Sequence, residues 1–156
     1  MSFKLVQSGG GVTDAAFINV TGSGTIKNGE PVERSRSSDY LVAPATSAST
    51  TTMVFGMGAG YIQGESDSFV KIIPFTVDQL WLADCANAAT TGQINVRQAI
   101  SASDRGVIHN QATDNVDGSG VFLPLYMTGS TTGSGKLIGK FITTDNVVGQ
   151  NSSTFI

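Results

Sequence analysis

Apolar residues along this chain come in short runs, and each run ends in a cluster of Gly, Ser, Thr, Asn, Asp or Pro. AAFINV (15–20), DYLVAP (39–44), TTMVFGMG (51–58) and SFVKIIPF (68–75) occupy the first half. QINVRQAI (93–100), GVIHN (106–110), GVFLPLYM (120–127) and KLIGKFIT (136–143) occupy the second. Runs of this length bounded by turn formers read as strands. In QINVRQAI, Ile94, Val96, Gln98 and Ile100 share one face and Asn95, Arg97 and Ala99 the other, the period-two pattern of a half-buried strand. No window carries the period of a long amphipathic helix; a single helical turn is expected near residues 77–81 or 86–90. The pattern predicts an all-β protein, a small antiparallel β-barrel or β-sandwich with a looser N-terminal arm.

Composition supports this class. Charged residues are 13% of 156, about half the usual share, while hydrophobic residues at 40% are ordinary. Uncharged polar residues and glycine stand in for the missing charges, and strands and turns accept them better than helix surfaces do. The expected organisation is one domain over residues 1–156. Within it, residues 1–12 form a possible flexible arm, 13–52 a Gly/Ser/Thr-rich β region, and 53–156 the main barrel. No internal repeat is visible.

The net charge is −3, and the nine Lys and Arg residues are scattered along the chain, Arg34 with Arg36 and Lys136 with Lys140 being the closest groups. Phosphate neutralisation needs clustered cations, so nucleic acid is not an expected partner. No stretch is long and apolar enough to span a bilayer, so no membrane partner is expected, and the first residues do not resemble a signal peptide. A single cysteine makes no internal disulfide, so no oxidising compartment is implied and synthesis in a cytoplasm is the expectation.

Several stretches suggest chemistry and are better read as structure. FGMGAGYIQGE carries Gly56, Gly58, Gly60 and Gly64, but its third glycine comes one position early for a dinucleotide fingerprint and no helix follows. It reads instead as a strand that another backbone or a large side chain approaches closely. TDNVDGSG (113–120) matches a calcium loop at Asn115, Asp117 and Gly118, yet lacks the acids at both ends, so a hairpin turn is expected, with a weak cation near Asp117 left open. His109 is the only histidine, so it forms no zinc set with the lone Cys85, and no serine-nucleophile elbow accompanies it.

TVDQLWLADCANAATTGQ (76–93) gathers Asp78, Trp81, Asp84 and Cys85. On a strand Asp78 and Asp84 lie about 20 Å apart, too far for a paired-carboxylate mechanism. The stretch predicts a strand entering the core through Leu80, Trp81 and Leu82, followed by a turn. Trp81 is then the structural anchor, Asp84 an acceptor of turn N–H groups, and Cys85 a small buried hydrophobe. The expectation is no enzyme, with no catalytic, cofactor-binding or metal residues and no cofactor. A small hydrolase using His109 is the enzymatic alternative.

GVFLPLYM is apolar on both faces yet contains Pro124, which places it at a sheet edge needing cover. Val121, Leu123, Pro124, Leu125 and Tyr126 are therefore interface candidates, and Phe3 and Leu5 are candidate anchors of the arm.

The stretches KIIPFTVDQLWLADCANAATTGQINVRQAI, TDNVDGSGVFLPL and KLIGKFI together resemble head decoration (cement) or accessory capsid proteins of tailed bacteriophages, over roughly residues 69–142. The resemblance implies a small β-barrel or sandwich that decorates or stabilises the outer surface of a capsid, often as a trimer. It implies a homotrimer and the major capsid protein as partners, and the virion as location. It brings no active-site residues. A tail-associated or receptor-binding β module is the other particle reading.

Overall fold

The computed structural model describes residues 3–7, 18–22, 25–34, 41–59, 68–76, 78–109, 120–128 and 136–143. Among these the protein is all-β. Its strands in chain order are β1 (Lys4–Gln7), β2 (Ile18–Gly22), β3 (Pro31–Arg34), β4 (Leu41–Pro44), β5 (Val54–Gly58) and β6 (Ser68–Pro74). They continue as β7 (Leu80–Cys85), β8 (Ala99–Ile100), β9 (Val107–His109), β10 (Phe122–Thr128) and β11 (Lys136–Phe141).

Strands β2 to β6 pair around a ring in the order β2–β4–β3–β5–β6 and back to β2. The remaining strands make an open sheet, β10–β11–β7–β9–β8, with β1 on the same edge of β7 as β9. Pairing is antiparallel except between β2 and β4 and between β7 and β9. Ring and open sheet pack face to face, like the two layers of a sandwich. β5 and β6 complete a ring begun by β2 to β4, and β1 with the strands after β6 makes the open sheet, so the ring draws strands from both sides of residues 52/53 to satisfy its backbone edges.

Two apolar clusters follow from alternation. Ile26, Val32, Val42, Phe55, Val70 and Ile72 fill the ring. A larger cluster lies between the layers, drawing Ala45, Val54, Met57 and Phe75 from the ring side and Trp81, Ala83, Ile100, Ile108, Phe122, Leu137 and Phe141 from the sheet side. β5 serves both and is buried throughout. Its glycines are a consequence. A Cβ on Gly58 would stand 2.7 Å from the Lys27 carbonyl oxygen, and one on Gly56 would stand 2.9 Å from that of Ile73. This is close backbone approach, not a phosphate cradle.

Phe141 is the centre of the larger cluster. Its ring stacks on Phe75 at 4.2 Å and meets Phe3, Phe122 and Trp81 edge-on at 5.0, 5.2 and 6.3 Å. Phe75 leads from β6 into β7, and its N–H donates to Phe55. Gln79 closes that connection: its side chain donates to the Pro74 carbonyl and accepts from the Thr76 N–H. The hydroxyl of Thr143, just beyond β11, donates to the Val54 carbonyl at 2.7 Å.

Residues 3–7 of the possible arm form a strand that pairs with the chain's own sheet: Lys4 pairs with Leu82 and Leu5 with Trp81, and Phe3 is 3% exposed. Residues 8–12 lie outside the described set. The strand expected over residues 93–100 is reduced to β8, because Thr91–Gln93 form a 3₁₀ turn and Asn95 takes a left-handed φ of 63°. The Gln93 side chain accepts from the Thr90 N–H, which closes that turn. β3, unread in the sequence, contains buried Glu33, whose carboxylate accepts the Ser49 hydroxyl.

Replacing Phe3 by alanine removes a ring from the aromatic cluster and should destabilise the fold by about 3–5 kcal/mol. Chemical denaturation checks this; a loss below about 1 kcal/mol would mean that the first residues do not belong to the core. Gly139→Ala should also destabilise, by about 1–3 kcal/mol, because its Cβ would press on the Leu123 carbonyl and stand 2.8 Å from Pro124 Cα. Gly92→Ala, with only Thr90 Oγ1 at 3.7 Å, should melt close to wild type.

Candidate functional site

Strand register decides which residues the open sheet shows to its outside. Lys4, Leu82, Ile138 and Tyr126 stand in one row across β1, β7, β11 and β10. Paired residues project to the same side, so their neighbours two positions away join them. Leu80 and Asp84 on β7, Lys136 and Lys140 on β11, and Leu123 and Thr128 on β10 complete this face. The alternate residues Trp81, Ala83, Leu137 and Phe141 point inward and are buried.

The outer face is an apolar strip with a charged fringe. Leu80, Leu82, Leu123 and Ile138 are half-buried and Tyr126 is 60% exposed. Lys4, Lys136 and Lys140 flank the strip. Asp84 is the carboxylate among them, and Lys136 Nζ sits 2.8 Å from its Oδ1. That contact holds the Lys136 ammonium above its ordinary pKa, chiefly through the hydrogen bond to Asp84. Lysines scattered in the sequence are thus gathered on one surface of a chain whose net charge is −3.

The expected interface residues divide. Phe3, Val121 and Pro124 are buried within the chain and offer no side chain to a partner. Leu5 is half-buried against the core. Leu123 and Tyr126 lie on the outer face, and Leu125 sits at the bulge between Pro124 and Tyr126. β10 ends the sheet path, and its free edge receives cover from its own chain. Gln98 exchanges hydrogen bonds with Phe122, at 2.7 and 3.1 Å, and the Asn95 N–H donates to the Pro124 carbonyl at 2.8 Å. A second subunit is not needed for that part of the edge. Sequence reading missed Lys4, Leu80, Leu82, Lys136, Ile138 and Lys140 as one surface. The alternation in KLIGKF could have shown part of it, but only the pairing joins the strands.

Asp84 and Cys85 close β7 rather than open a turn, so Asp84 pairs with Lys136 instead of capping turn N–H groups. Cys85 is a free, half-buried thiol. Burial pushes its pKa from an ordinary 9.0 up to about 11, and the neighbouring Asp84 charge adds to this. It is a neutral thiol at physiological pH, unsuited to nucleophilic work.

A polar cleft of about 600 Å³ opens where the ring meets the open sheet, walled by Lys27, Glu30, Ser101, Ser103, Asp104 and Arg105. Glu30 is buried; its carboxylate accepts the Lys27 N–H at 3.1 Å and faces Arg105 Nε at 3.6 Å. Arg105 also donates to the Thr25 carbonyl at 3.3 Å, which ties the two layers together. Ser101 and Ser103 hydroxyls bond each other at 3.0 Å, and no imidazole lines the cleft to activate either. The backbone of His109 pairs with Ala99 in β9. No three His, Cys, Asp or Glu side chains gather among the described residues. The Asp117 loop lies outside them. No helix among them is long and apolar enough to cross a membrane.

The chain matches no protein-family model and no curated protein sequence.

The Cys85 thiol should react with a disulfide reagent at pH 8 about 100-fold more slowly than an unburied thiol, tenfold for each unit of its raised pKa. Its folded-state pKa exceeds the ordinary value, so its contribution to stability is complete below pH 9.0 and is lost as pH rises toward about 11. Thiol reactivity equal to that of a short peptide would place the sulfur in solvent and remove it from the anchor.

Proposed function

We propose that this chain is a structural virion protein that binds the outer surface of a tailed-phage capsid and decorates or stabilises it. The outer face of the open sheet is the docking surface in this reading. The observation that carries the proposal is the row Lys4, Leu82, Ile138 and Tyr126, an apolar strip with lysines at its border on an otherwise acidic protein. Such a face suits a partner surface that is apolar at its centre and carries carboxylates around it, and the major capsid protein is the proposed bearer. The resemblance of residues 69–142 to head decoration proteins supports the same reading.

The protein acts as a homotrimer in this proposal. Trimeric binding to a symmetric shell multiplies individually weak contacts, so each protomer's face can be small. The apolar centre supplies affinity, and the lysine fringe adds orientation that salt weakens. A tail-associated receptor-binding module is the second reading, and the polar cleft beside Glu30 and Arg105 favours it, since a fibre module needs a recess for a small polar receptor group. Imaging of labelled particles separates head from tail.

Tyr126→Glu combined with Leu82→Glu places two carboxylates in the strip while leaving the inner face unchanged. The double variant should fold, stay trimeric by light scattering, and sediment with capsids at least tenfold more weakly than wild type. Undiminished sedimentation would remove the outer face from the interaction, and a monomeric wild-type protein would remove the trimer.

A further inference from the structure

Three connections build the polar cleft of about 600 Å³. The segment leading into β3 brings Lys27, Asn28 and Glu30, and the turn after β4 brings Thr46 and Ser47. The turn between β8 and β9 brings residues 101–105. Two of these connections belong to the ring and the third to the open sheet, so both layers are needed to form the cleft. It shares no lining residue with the outer-face strip around Tyr126.

The charges of the cleft balance and are engaged within the chain. Lys27 and Arg105 are its cations, Glu30 and Asp104 its carboxylates. Glu30, 5% exposed, accepts the Lys27 N–H and faces Arg105, whose guanidinium also donates to the Thr25 carbonyl. Asp104 accepts the Gly106 N–H at 2.9 Å. A charged ligand of either sign would meet its own sign among these walls while giving up its hydration. The other lining groups are hydroxyls, one carboxamide and the Ala102 methyl, and no aromatic ring is among the described walls.

The hydroxyls keep hydrogen-bonding capacity in hand. Ser101 and Ser103 use one of their two hydroxyl hydrogens in their mutual bond, which leaves the second to donate outward. Thr46 Oγ1 accepts the Ala48 N–H at 3.3 Å and retains its own hydrogen. The Ser47 hydroxyl and the Asn28 carboxamide, each able to donate and to accept, stand at the same cleft. The matching chemistry is an uncharged molecule whose groups also do both.

We infer that this cleft binds a neutral polyhydroxyl compound, a pyranose sugar, through the hydroxyls of Ser101, Ser103, Thr46 and Ser47. Its volume lies within the range of ligand pockets and has room for a pyranose ring. Each contact exchanges a bond to water for one to protein, at a small net gain, so the affinity is on the order of millimolar. The inference rests on the tail-module reading only for its biological use. Binding is measured on the isolated chain and the chain's position on particles by imaging, so each can fail without the other.

The test is a titration of the full ¹⁵N-labelled chain with the methyl pyranosides of glucose, galactose and mannose, and separately with glucuronate and glucosamine. At least one neutral glycoside should shift the backbone amide resonances of residues 101–106 saturably, while those of β11 stay in place. The two charged sugars should bind about tenfold more weakly. Ser103→Ala, at an exposed position, removes half of the hydroxyl pair and should weaken the neutral glycoside about fivefold at an unchanged melting temperature. Ser103→Thr should restore binding. Silence of residues 101–106 toward all three glycosides at tens of millimolar would overturn the site. Tighter binding of glucuronate or of glucosamine would overturn the neutral assignment. Undiminished binding by Ser103→Ala would remove the hydroxyl pair from the contact and overturn the mechanism. Should that variant fail to fold, the wild-type titrations decide the question alone.

Discussion

The stack of Phe141 on Phe75 is the contact on which the rest of this structure depends. Phe75 ends the ring and Phe141 ends the open sheet, so the 4.2 Å stack joins the last strand of each layer. Phe3, Trp81 and Phe122 close around the same ring, bringing in the start of the chain and the strands between. Offset and edge-on aromatic pairs add directional preference to area burial. Here that preference fixes how two sheets, each short and weakly charged, sit on one another. Polar ties at Thr143 and Arg105 reinforce the junction from its periphery.

This packing determines what each face of the open sheet can do. Alternation on β7 and β11 commits Trp81, Ala83, Leu137 and Phe141 to the interior. It therefore commits Leu80, Leu82, Ile138 and the lysines to the exterior. The exterior strip is not spare hydrophobicity: it is the other half of a register chosen by the aromatic cluster. A slip of one residue between β7 and β11 would bury Lys136 and expose Phe141, so the core holds the outer face in place as firmly as it holds itself.

Much of the strand content was legible because period-two alternation and turn residues are local signals. KLIGKFIT, SFVKIIPF and GVFLPLYM became β11, β6 and β10 with small changes at their ends. QINVRQAI failed for a local reason that alternation does not encode. Gln93 closes a 3₁₀ turn with Thr90, and Asn95 adopts a left-handed conformation that asparagine tolerates, so the alternation reaches a strand only at Ala99–Ile100. β3 was hidden for the opposite reason. Pro31, Glu33 and Arg34 lower its strand character, and it is rescued by pairing with β4 and β5 and by the Ser49 hydroxyl on Glu33. Its buried carboxylate is met by a serine sixteen positions away.

By itself, the sequence determined the all-β class, the placing of most strands, the glycines of β5 and the absence of room for a long helix, since these follow from side-chain volume, charge density and residue-to-residue periodicity. Tertiary structure decided the ring of β2 to β6, the recruitment of residues 3–7 into the sheet, and the exchange of a turn for an ion pair at Asp84. It also decided the face that joins Lys4, Leu82, Ile138 and Tyr126, which lie far apart in the chain. The physical reason is that strand pairing is a non-local choice. Each strand announces two faces and two edges, and only the global packing of aromatic rings selects which face is buried and which edge meets which partner.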